Sequence, residues 1–303
     1  MSDRYLSASS YYKKTFNCKV YKLSINGGFT CPNRDGKVAF GGCIFCSNVG
    51  SGEYAFNISD GYTEAINNAK KLISKKIDSN TKFICYFQSY TSTYMEPKAF
   101  KKMLDYPLND DSIVAINIAT RPDCLEKDIL EVINNANKIK PIYVELGLQT
   151  IHEDTAKLIN RGYLLPVYNK AVNNLHSLGV NVITHLIIGL PYETKEMIIE
   201  SIKYVGKVTD GIKLQLLHVI KNTKLEEMYK DYLFNVLTLE EYANIVCEGI
   251  NYLPKNVVVY RITGDGNKKD LVAPMWSTNK KNVLNYINHK MKELNCYQGK
   301  LIN

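Results

Sequence analysis

The decisive stretch reads Phe29-Thr30-Cys31-Pro32-Asn33-Arg34-Asp35-Gly36 and continues, after four further residues, as Gly41-Gly42-Cys43-Ile44-Phe45-Cys46. It holds three cysteines within sixteen residues at the spacing C-x11-C-x2-C. The segment is rich in Gly, Pro, Asn and Asp, so the cysteines are predicted to lie on a loop. Such a loop can wrap thiolates around a metal centre while backbone N–H groups point at the sulfurs. Three thiolates are one short of a closed tetrahedral site, which leaves a position for a small molecule.

Three interpretations compete for these cysteines. Buried structural thiols are common because free Cys behaves as a small hydrophobe, but this suits Cys18 or Cys85 better than a turn-rich C-x2-C pair. Zinc also favours C-x2-C pairs, yet it needs a fourth ligand, and no His or second C-x2-C pair lies nearby in the sequence. The third interpretation is a [4Fe–4S] cluster with one iron left open for S-adenosylmethionine. The spacing alone does not separate zinc from the cluster.

The composition is that of an ordinary soluble globular protein. The 303 residues are 45% hydrophobic and 22% charged, enough to bury a sizeable core, and barrels of this length often form one domain. The formal net charge of +8 permits a polyanionic partner such as RNA, and it is equally compatible with a lysine-rich solvated surface.

The sequence carries no recognisable targeting or membrane segment. The first residues are polar and tyrosine-rich, unlike a signal peptide, and no apolar run approaches the ~20 residues of a membrane span. Eight scattered cysteines without a secretory signal indicate a reducing cytoplasm. We therefore expect a cytoplasmic protein with no membrane contact, whose cysteines serve metal binding or catalysis in preference to disulfides.

Strands and helices alternate along most of the chain. The first strand is predicted at residues 20–25, where apolar and polar residues alternate, and further strands at 83–87, 113–119, 141–149, 180–189 and 211–219. Helical spacing of apolar residues occurs at 61–77, 97–105, 125–137, 152–160, 167–178 and 194–206. Continuous apolar strands alternating with helices indicate a parallel sheet covered by helices. Six such units predict an α/β fold, an incomplete (β/α)6 barrel.

The pattern changes after about residue 224. Helices are predicted at 225–231, 239–252 and 279–294, with apolar segments at 256–262 and 271–276. We expect residues 1–224 to form the core barrel with an N-terminal arm, and residues 225–303 to form a C-terminal α+β extension that caps it. The arm, residues 1–17, is basic and aromatic, and we expect it to pack over one end of the barrel.

Polar residues follow the predicted strands at the ends where a parallel barrel carries its chemistry. They include residues 88–91 and 120–123, then Glu145, Gly147 and Gln149 on one face of a strand, and His185 with Gly189 on one face of the next. Each has a structural alternative. Arg121 and Asp123 can pair with each other across a turn, Glu145 can be a satisfied buried acid, and His185 can be a core histidine.

Motifs throughout the chain are similar to those of one enzyme superfamily. They lie at residues 28–36, 41–46, 86–91, 120–124, 145–152, 159–162, 185–191, 213–219, 261–266 and 271–277. With these motifs the chain resembles the radical S-adenosylmethionine (SAM) superfamily, in the branch that includes the Elongator catalytic subunit and coproporphyrinogen dehydrogenase. Within that branch it is most similar to the YhcC/YtqA-like family. The fold implied is an incomplete (β/α)6 radical SAM barrel.

The resemblance implies the cofactors. Cys31, Cys43 and Cys46 would hold a [4Fe–4S] cluster, and the methionyl amine and carboxylate of SAM would chelate the fourth iron. Reductive cleavage of SAM would release a 5′-deoxyadenosyl radical that removes a hydrogen atom from the substrate. An electron donor such as flavodoxin or ferredoxin is implied as a partner.

The resemblance also implies a set of cofactor-binding residues. Residues 88–90 would hold the methionyl amine, and Gln149 with Arg161 would bind the ribose hydroxyls and the carboxylate. Gly189 and Leu190 would line the adenine, and Phe45 would pack beside the cofactor. The complete predicted set is Phe45, Gln88, Ser89, Tyr90, Thr120, Arg121, Glu145, Gln149, Arg161, Gly189 and Leu190.

The chain departs from its relatives at three positions. Ala119 stands where the Elongator subunit has Glu before its Thr-Arg-Pro-Asp, which leaves one expected ribose contact unassigned. Tyr192 replaces the usual Gly after Gly-Leu-Pro. His185 occupies a position that is often acidic, so we expect it to face the substrate.

The implied substrate is the wobble uridine of tRNA. Similar enzymes convert its 5-carboxymethylaminomethyl group to 5-aminomethyl, and the C–H between nitrogen and carboxylate suits radical abstraction. The predicted catalytic residues on the substrate side are His185, Lys213, Arg261 and Asp265, with His218 nearby. Two alternatives stay open: a radical SAM enzyme acting on a substrate other than tRNA, and a zinc-stabilised RNA-binding module.

Overall fold

The computed structural model describes residues 4–47, 50, 52, 55–264, 266 and 268–302. The predicted catalytic residue Asp265 therefore lies outside the described residues. In the described part of the chain, no helix is long and apolar enough to cross a membrane.

Ten strands and ten α-helices make up the described fold. The strands are β1 (Val20–Asn26), β2 (Phe56–Asn57), β3 (Lys82–Phe87), β4 (Ile113–Thr120), β5 (Ile142–Gln149), β6 (Asn181–Ile188), β7 (Gly211–Leu216), β8 (Val219–Ile220), β9 (Val258–Arg261) and β10 (Leu271–Ala273). The helices are α1 (Ala8–Phe16), α2 (Tyr62–Leu72), α3 (Pro97–Leu108), α4 (Lys127–Asn137), α5 (Glu153–Leu158), α6 (Leu165–Ser177), α7 (Lys195–Val208), α8 (Lys224–Lys230), α9 (Leu239–Asn251) and α10 (Lys280–Glu293).

Eight strands form one parallel sheet in the order β2-β1-β3-β4-β5-β6-β7-β9. Each neighbouring pair is parallel. The sheet is a half-barrel with β2 and β9 at its two edges. The predicted α/β fold, an incomplete barrel, is confirmed.

Two details of the sheet differ from the sequence prediction. The predicted strand 211–219 is divided, because the chain turns away at Leu217 and β8 pairs antiparallel with β10 in a separate sheet. The segment predicted at 256–262 contains β9, which pairs in parallel with β7 and so extends the main sheet. Helices α8 and α9 separate β7 from β9 along the chain, and for this reason local periodicity did not reveal the pairing.

The helices lie where amphipathic periodicity predicted them, with shifted ends. The predicted helix 61–77 ends at Leu72, and a short 3-10 turn, Ser74–Lys76, follows it. Helix α9 begins with a capping box, in which Thr238 accepts from the Glu241 backbone N–H while the Glu241 carboxylate accepts from the Thr238 backbone N–H. This reciprocal pair satisfies two backbone groups that the first turn would leave unpaired.

The N-terminal arm closes the lower end of the half-barrel, as expected. Tyr12 on α1 is buried against Ile84, Ala115, Tyr143 and Ile183, which project inward from four strands. The Leu6 carbonyl also accepts a hydrogen bond from the backbone N–H of Val259 at 2.8 Å. The arm therefore fills the barrel interior below the polar residues described next.

A polar layer lies inside the half-barrel, nearer the carboxyl ends of the strands than the residues that contact Tyr12. Because side chains alternate between the two faces of a strand, the residues two positions further along each strand also point inward. They are Lys22, Tyr86, Asn117, Glu145, His185 and Lys213, joined by hydrogen bonds and ion pairs. A half-barrel interior is usually apolar at this depth, so a layer of charged groups indicates a functional site.

Candidate active site

A cavity lies inside the half-barrel at the carboxyl ends of its strands. Its lining includes most of the predicted site residues: Cys31, Cys43, Phe45, Cys46, Gln88, Ser89, Tyr90, Thr120, Arg121, Glu145, Gln149, Arg161, His185, Lys213 and Arg261. Gly189 and Leu190, although described, are not among its lining residues. His218 is likewise outside this lining, and its ring lies against the backbone of Gly264 and Gly266.

The cysteine loop is held by its own backbone and by one arginine. The carbonyl of Cys31 accepts from the backbone N–H of Arg34 at 2.8 Å, and the carbonyl of Cys43 accepts from that of Cys46 at 2.9 Å. The Arg34 side chain donates from Nη2 to the carbonyls of Cys46 at 2.9 Å and Ser47 at 2.6 Å. One guanidinium therefore joins the first part of the loop to the C-x2-C pair.

Two asparagines fix the loop to the segment that follows α5. Asn33 Nδ2 donates to the Asn160 carbonyl at 2.5 Å and lies 3.6 Å from Cys43 Sγ, while Asn160 Nδ2 donates to the Gly42 carbonyl at 2.8 Å. Gly162 has φ +82°, and a Cβ there would come within 2.6 Å of Asn33 Oδ1. Glycine is therefore required at 162, both for its conformation and for this close approach.

The donor set of the three thiols is one that suits an iron–sulfur cluster. Burial and the neighbouring Cys46 raise the pKa of Cys43 to about 12, so its thiolate needs a bound cation. Iron–sulfur clusters are held by Cys thiolates, each bound to a different iron.

The loop after β3 has the features of a ligand-binding segment. Ser89 and Tyr90 have φ of 86° and 48°, a left-handed conformation that side chains other than Gly rarely adopt. The Ser89 Oγ and Thr91 Oγ1 atoms are buried and have no hydrogen-bond partner among the described residues. Strained backbone and unpaired buried hydroxyls together indicate that a polar ligand completes this part of the cavity.

The two predicted cofactor-binding arginines are largely occupied by protein groups. Arg121 forms a bidentate pair with Asp123 at 2.9 and 2.7 Å, the turn pairing that the sequence left open, and donates to the Arg161 carbonyl at 2.9 Å. Arg161 donates to the carbonyls of Tyr163 at 2.9 Å and Thr150 at 2.7 Å. Both guanidiniums line the cavity, and their contacts with a cofactor stay predictions.

The predicted adenine-binding residues lie beside the C-terminal part of the chain. Gly189 has φ +93°, and a Cβ there would be 3.0 Å from Leu237. Leu190 is 2% exposed and packs in a core cluster with Leu217. Tyr192, which replaces the usual Gly, adopts φ 66° with its side chain exposed, so it keeps the left-handed conformation that glycine would take. The adenine role of Gly189 and Leu190 stays a prediction.

Glu145 is the centre of the polar layer and accepts from five side chains. Its Oε1 accepts from Lys22 Nζ and Asn117 Nδ2, both at 2.7 Å. Its Oε2 accepts from Tyr86 Oη at 2.7 Å, from His185 Nε2 at 2.8 Å and from Lys213 Nζ. Burial alone raises the pKa of Glu145, but Lys213 and Lys22 more than offset this and hold it well below its ordinary value. Glu145 is therefore a fully hydrogen-bonded carboxylate.

His185 is a neutral residue with partners on both ring nitrogens. Its Nε2 donates to Glu145, and its Nδ1 accepts from Gln215 Nε2 at 3.1 Å. Burial and the neighbouring Lys213 lower the pKa of His185 to about 4. Burial also lowers the pKa of Lys213, an effect that Glu145 partly offsets. At neutral pH His185 is thus held in one tautomer.

The sequence assigned no role to four residues that contact Glu145 or His185: Lys22, Asn117, Gln215 and Tyr86. Tyr86 lies within a quoted motif, but only its successors received a role. Lys22 carried a usable signal, since the alternation along β1 places Val20 and Lys22 on the same inward face. The partner of Lys22 lies 123 positions away in the sequence, and one strand's periodicity cannot reveal it.

We expect the neutral state of His185 to make the fold sensitive to mild acid. The unfolded chain protonates His185 near pH 6.5, whereas the folded chain does so only near pH 4, so the unfolded state binds more protons between these values. Stability is therefore lost as the pH falls through this window, by about 2 kcal/mol at pH 5. Urea denaturation of the protein and of His185→Gln at pH 7 and pH 5 measures this.

The matched control for that experiment is the exposed His289. His289→Gln should keep the full loss of stability at pH 5, whereas His185→Gln should lose most of it. If both variants show the same dependence as the unmodified protein, His185 is not held neutral by the fold.

Family comparison connects this site to known proteins. A sequence model described as "Radical SAM superfamily" matches residues 28–205, and one described as "Radical_SAM C-terminal domain" matches residues 209–293. The first match contains the three cysteines and β3 to β6. The second contains β7, β9 and the helices that follow.

Individual relatives extend the comparison. The chain is 40% identical to the protein YtqA of Bacillus subtilis over 298 residues, covering 98% of this chain and 92% of YtqA. It is 34% identical over 157 residues to the tRNA uridine(34) acetyltransferase of Methanocaldococcus infernus, covering 50% of this chain and 29% of that protein. The solved structure of archaeal Elp3 from M. infernus superposes with a TM-score of 0.68 at 20% identity, over 92% of this chain and 64% of that chain. That likeness concerns the fold.

Proposed function

Since this chain belongs to the radical SAM superfamily, we propose that it is a tRNA-modifying enzyme that acts on the wobble uridine. The proposed reaction converts 5-carboxymethylaminomethyluridine to 5-aminomethyluridine. Loss of one hydrogen atom to the 5′-deoxyadenosyl radical and of one electron to the cluster would give an imine, and water would cleave its C–N bond to release the carboxymethyl carbons as glyoxylate. The observation that carries the proposal is a shared cavity, in which three cysteines and a buried polar layer face the same space at the strand ends.

The cofactors of the superfamily, and of this chain, are a [4Fe–4S] cluster and SAM. When bound, they supply a 5′-deoxyadenosyl radical that removes a hydrogen atom from the substrate. We propose that Cys31, Cys43 and Cys46 hold the cluster and that the loop after β3 binds SAM. Its unpaired hydroxyls, Ser89 Oγ and Thr91 Oγ1, provide polar contacts for the methionyl group.

The residues that we propose on the substrate side lie deeper in the cavity. Lys213 and His185 belong to the polar layer, and Arg261 at the end of β9 lines the same space. Asp265 follows in the chain and completes the proposed set. We propose that the substrate binds between the polar layer and the cysteine loop, where the half-barrel would protect a reactive radical from water.

Two observations support tRNA as the substrate. The chain shares about half its length with a protein whose name describes an activity on uridine 34 of tRNA. Its formal net charge of +8 permits association with a polyanion such as RNA. A wobble base lies in a single-stranded loop, where it can be turned out of the stack and enter a cavity. An electron donor such as flavodoxin or ferredoxin is the second proposed partner.

The test is mass spectrometry of tRNA nucleosides from a strain that lacks this protein. We expect 5-carboxymethylaminomethyluridine to accumulate and 5-aminomethyluridine and its derivatives to disappear. Expression of the unmodified protein should restore the pattern of modified nucleosides. Expression of Cys18→Ser should restore it as well, because Cys18 lies outside the cavity lining, whereas expression of Cys46→Ser should not. Unchanged wobble uridines would remove the tRNA proposal while the radical SAM assignment stands.

Metal analysis of the purified protein, together with the tRNA of the deletion strain, separates the two alternative functions. Purified protein containing iron and sulfide, in a strain with unchanged tRNA, indicates a radical SAM enzyme that acts on another substrate. Protein that binds tRNA and contains zinc without iron indicates a zinc-stabilised RNA-binding module. A steep decrease of tRNA affinity with salt would accompany binding in either case.

A further inference from the structure

We infer that the inner end of the cavity is a carboxylate-binding subsite, in which Lys213, positioned by Glu145, contacts the carboxylate of the substrate. The inference rests on the proposed function, because it names the group of the wobble side chain that the enzyme holds. It gives Glu145, predicted from the sequence as a cofactor-binding residue, a different task as a positioning residue.

The charges of the polar layer provide the first argument. Lys22 and Lys213 both contact Glu145, so one carboxylate lies between two ammonium groups. Glu145 is 1% exposed and Lys213 is 4% exposed, so water screens neither of them. Buried charges are stable when they are paired, and two cations around one anion leave an excess positive charge. A bound anion would compensate that charge.

The positions of the two lysines decide which of them meets a ligand. Lys22 Nζ lies 4.8 Å from the ring centroid of Tyr86 and 5.0 Å from that of Tyr260, and Lys22 is not among the residues that line the cavity. Lys213 does line the cavity. Its ammonium contacts Glu145 and lies 3.2 Å from Tyr86 Oη, so two of its three N–H groups are engaged there. The third can be donated to a ligand.

The surroundings of Lys213 favour an anion over a neutral group. His185 adds no charge, since Glu145 and Gln215 hold it in the neutral form. Arg261 lines the same cavity and, besides burial, its charge lowers the pKa of both Lys213 and His185. Burial disfavours the charged form of Lys213, as the lowered pKa of its ammonium indicates. A carboxylate beside the ammonium would offset this cost, so part of the binding energy comes from relief of an existing penalty.

Two carboxylates are present in the proposed reaction, one on SAM and one on the wobble side chain. With the cluster held by the three cysteines as proposed, the methionyl carboxylate of SAM would bind beside the cysteine loop, which follows the end of β1. Lys213 lies lower in the half-barrel, in register with His185 and Arg261. The layer below the strand ends is therefore assigned to the substrate, whose carboxymethyl group is the farthest extension of the uridine.

The experiment compares acids with their uncharged forms as ligands of the cluster-containing protein, without reductant so that no turnover occurs. The first pair is the nucleoside 5-carboxymethylaminomethyluridine and its methyl ester. The second pair is N-methylglycine and N-methylglycinamide, which lack the nucleoside. Ligand-observed NMR gives each affinity with and without SAM. We expect each acid to bind at least tenfold more tightly than its neutral partner, with SAM present.

Variants identify the residue responsible. Lys213→Met should abolish the preference for the acid, and Lys101→Met, which changes an exposed lysine on α3, should keep it. If Lys213→Met does not fold, the comparison of acid with neutral form in the unmodified protein still decides. Equal affinity within both pairs, or no binding by any of the four ligands, overturns the subsite. A preference that disappears when SAM is added assigns the site to SAM and overturns the substrate role.

Failure of the carboxylate subsite can be distinguished from failure of the proposed function, because ligand binding and tRNA modification are measured separately. If N-methylglycine is preferred to its amide while wobble uridines are unchanged in the deletion strain, the carboxylate subsite stands and the tRNA substrate is wrong. If the tRNA changes as proposed but neither acid is preferred, the proposed function stands and the subsite is wrong.

Discussion

Cys46→Ser is expected to contain little iron and to produce no measurable 5′-deoxyadenosine. Three thiolates hold three of the four irons and leave the fourth open for SAM, and a serine hydroxyl is a much weaker ligand for iron than a thiolate. The loss of activity should exceed the ~10–100-fold that removal of an outer-shell partner typically costs. Iron and sulfide content after anaerobic reconstitution, followed by chromatography of the products of SAM, measures the effect.

The matched control is Cys18→Ser, because Cys18 is a free cysteine outside the cavity lining. It should retain iron and SAM cleavage at the level of the unmodified protein. Cys31→Ser and Cys43→Ser should match Cys46→Ser. A Cys46→Ser protein that retains the iron content and the cleavage activity of the control would contradict the assignment of the ligands.

Glu145→Gln is expected to produce the largest loss of stability of any single change in the polar layer. It keeps the shape of the side chain but leaves the buried Lys213 and the partly exposed Lys22 around a neutral amide. Removing one partner of a buried ion pair typically costs about 3–5 kcal/mol, since an uncompensated charge remains. Urea denaturation at pH 7 measures the change in the free energy of unfolding.

Two further variants separate charge from shape in this prediction. Tyr86→Phe removes one neutral donor to Glu145 and should cost only about 1 kcal/mol. Combining Glu145→Gln with Lys213→Met removes a positive charge as well, so the double variant should be more stable than Glu145→Gln alone. A Glu145→Gln protein no less stable than Tyr86→Phe would show that the layer does not depend on the negative charge.

Much of the half-barrel was predictable because parallel strands have a local signature. Buried on both faces, they read as continuous apolar runs such as residues 113–119, and this signature revealed the five strands from β3 to β7. Strand β1 was predicted from its alternation of apolar and polar residues. The two-residue strand β2 and the edge strand β9 were not recognised as parts of the same sheet. Their places depend on pairing partners distant in the chain, Ile25 for Phe56 and Gly211 for Val258.

The candidate site followed from the sequence to the extent that strand topology determines it. Polar residues at the ends of parallel strands meet at one edge, and for this reason Gln88, Thr120 and Gln149 face one cavity. The partner of each side chain was not predictable. Glu145 was expected to bind a cofactor, but five donors from other strands occupy it, and its nearest sequence neighbours give no sign of them.

The residues around Gly189 illustrate the same limit. Its left-handed conformation was consistent with the sequence, since a glycine there allows a close approach. The group that makes this approach is Leu237, which arrives from the segment between α8 and α9. Periodicity along one element indicates which face is buried, but long-range packing decides which neighbour covers it.

Mössbauer spectroscopy of the ⁵⁷Fe-reconstituted protein, recorded with and without SAM, tests the ligand assignment most directly. Three protein thiolates and one open position predict a [4Fe–4S] spectrum in which one iron of the four changes its parameters when SAM binds. A cluster whose four irons stay equivalent with SAM, or a protein that takes up zinc and no iron, would contradict the proposed coordination by Cys31, Cys43 and Cys46.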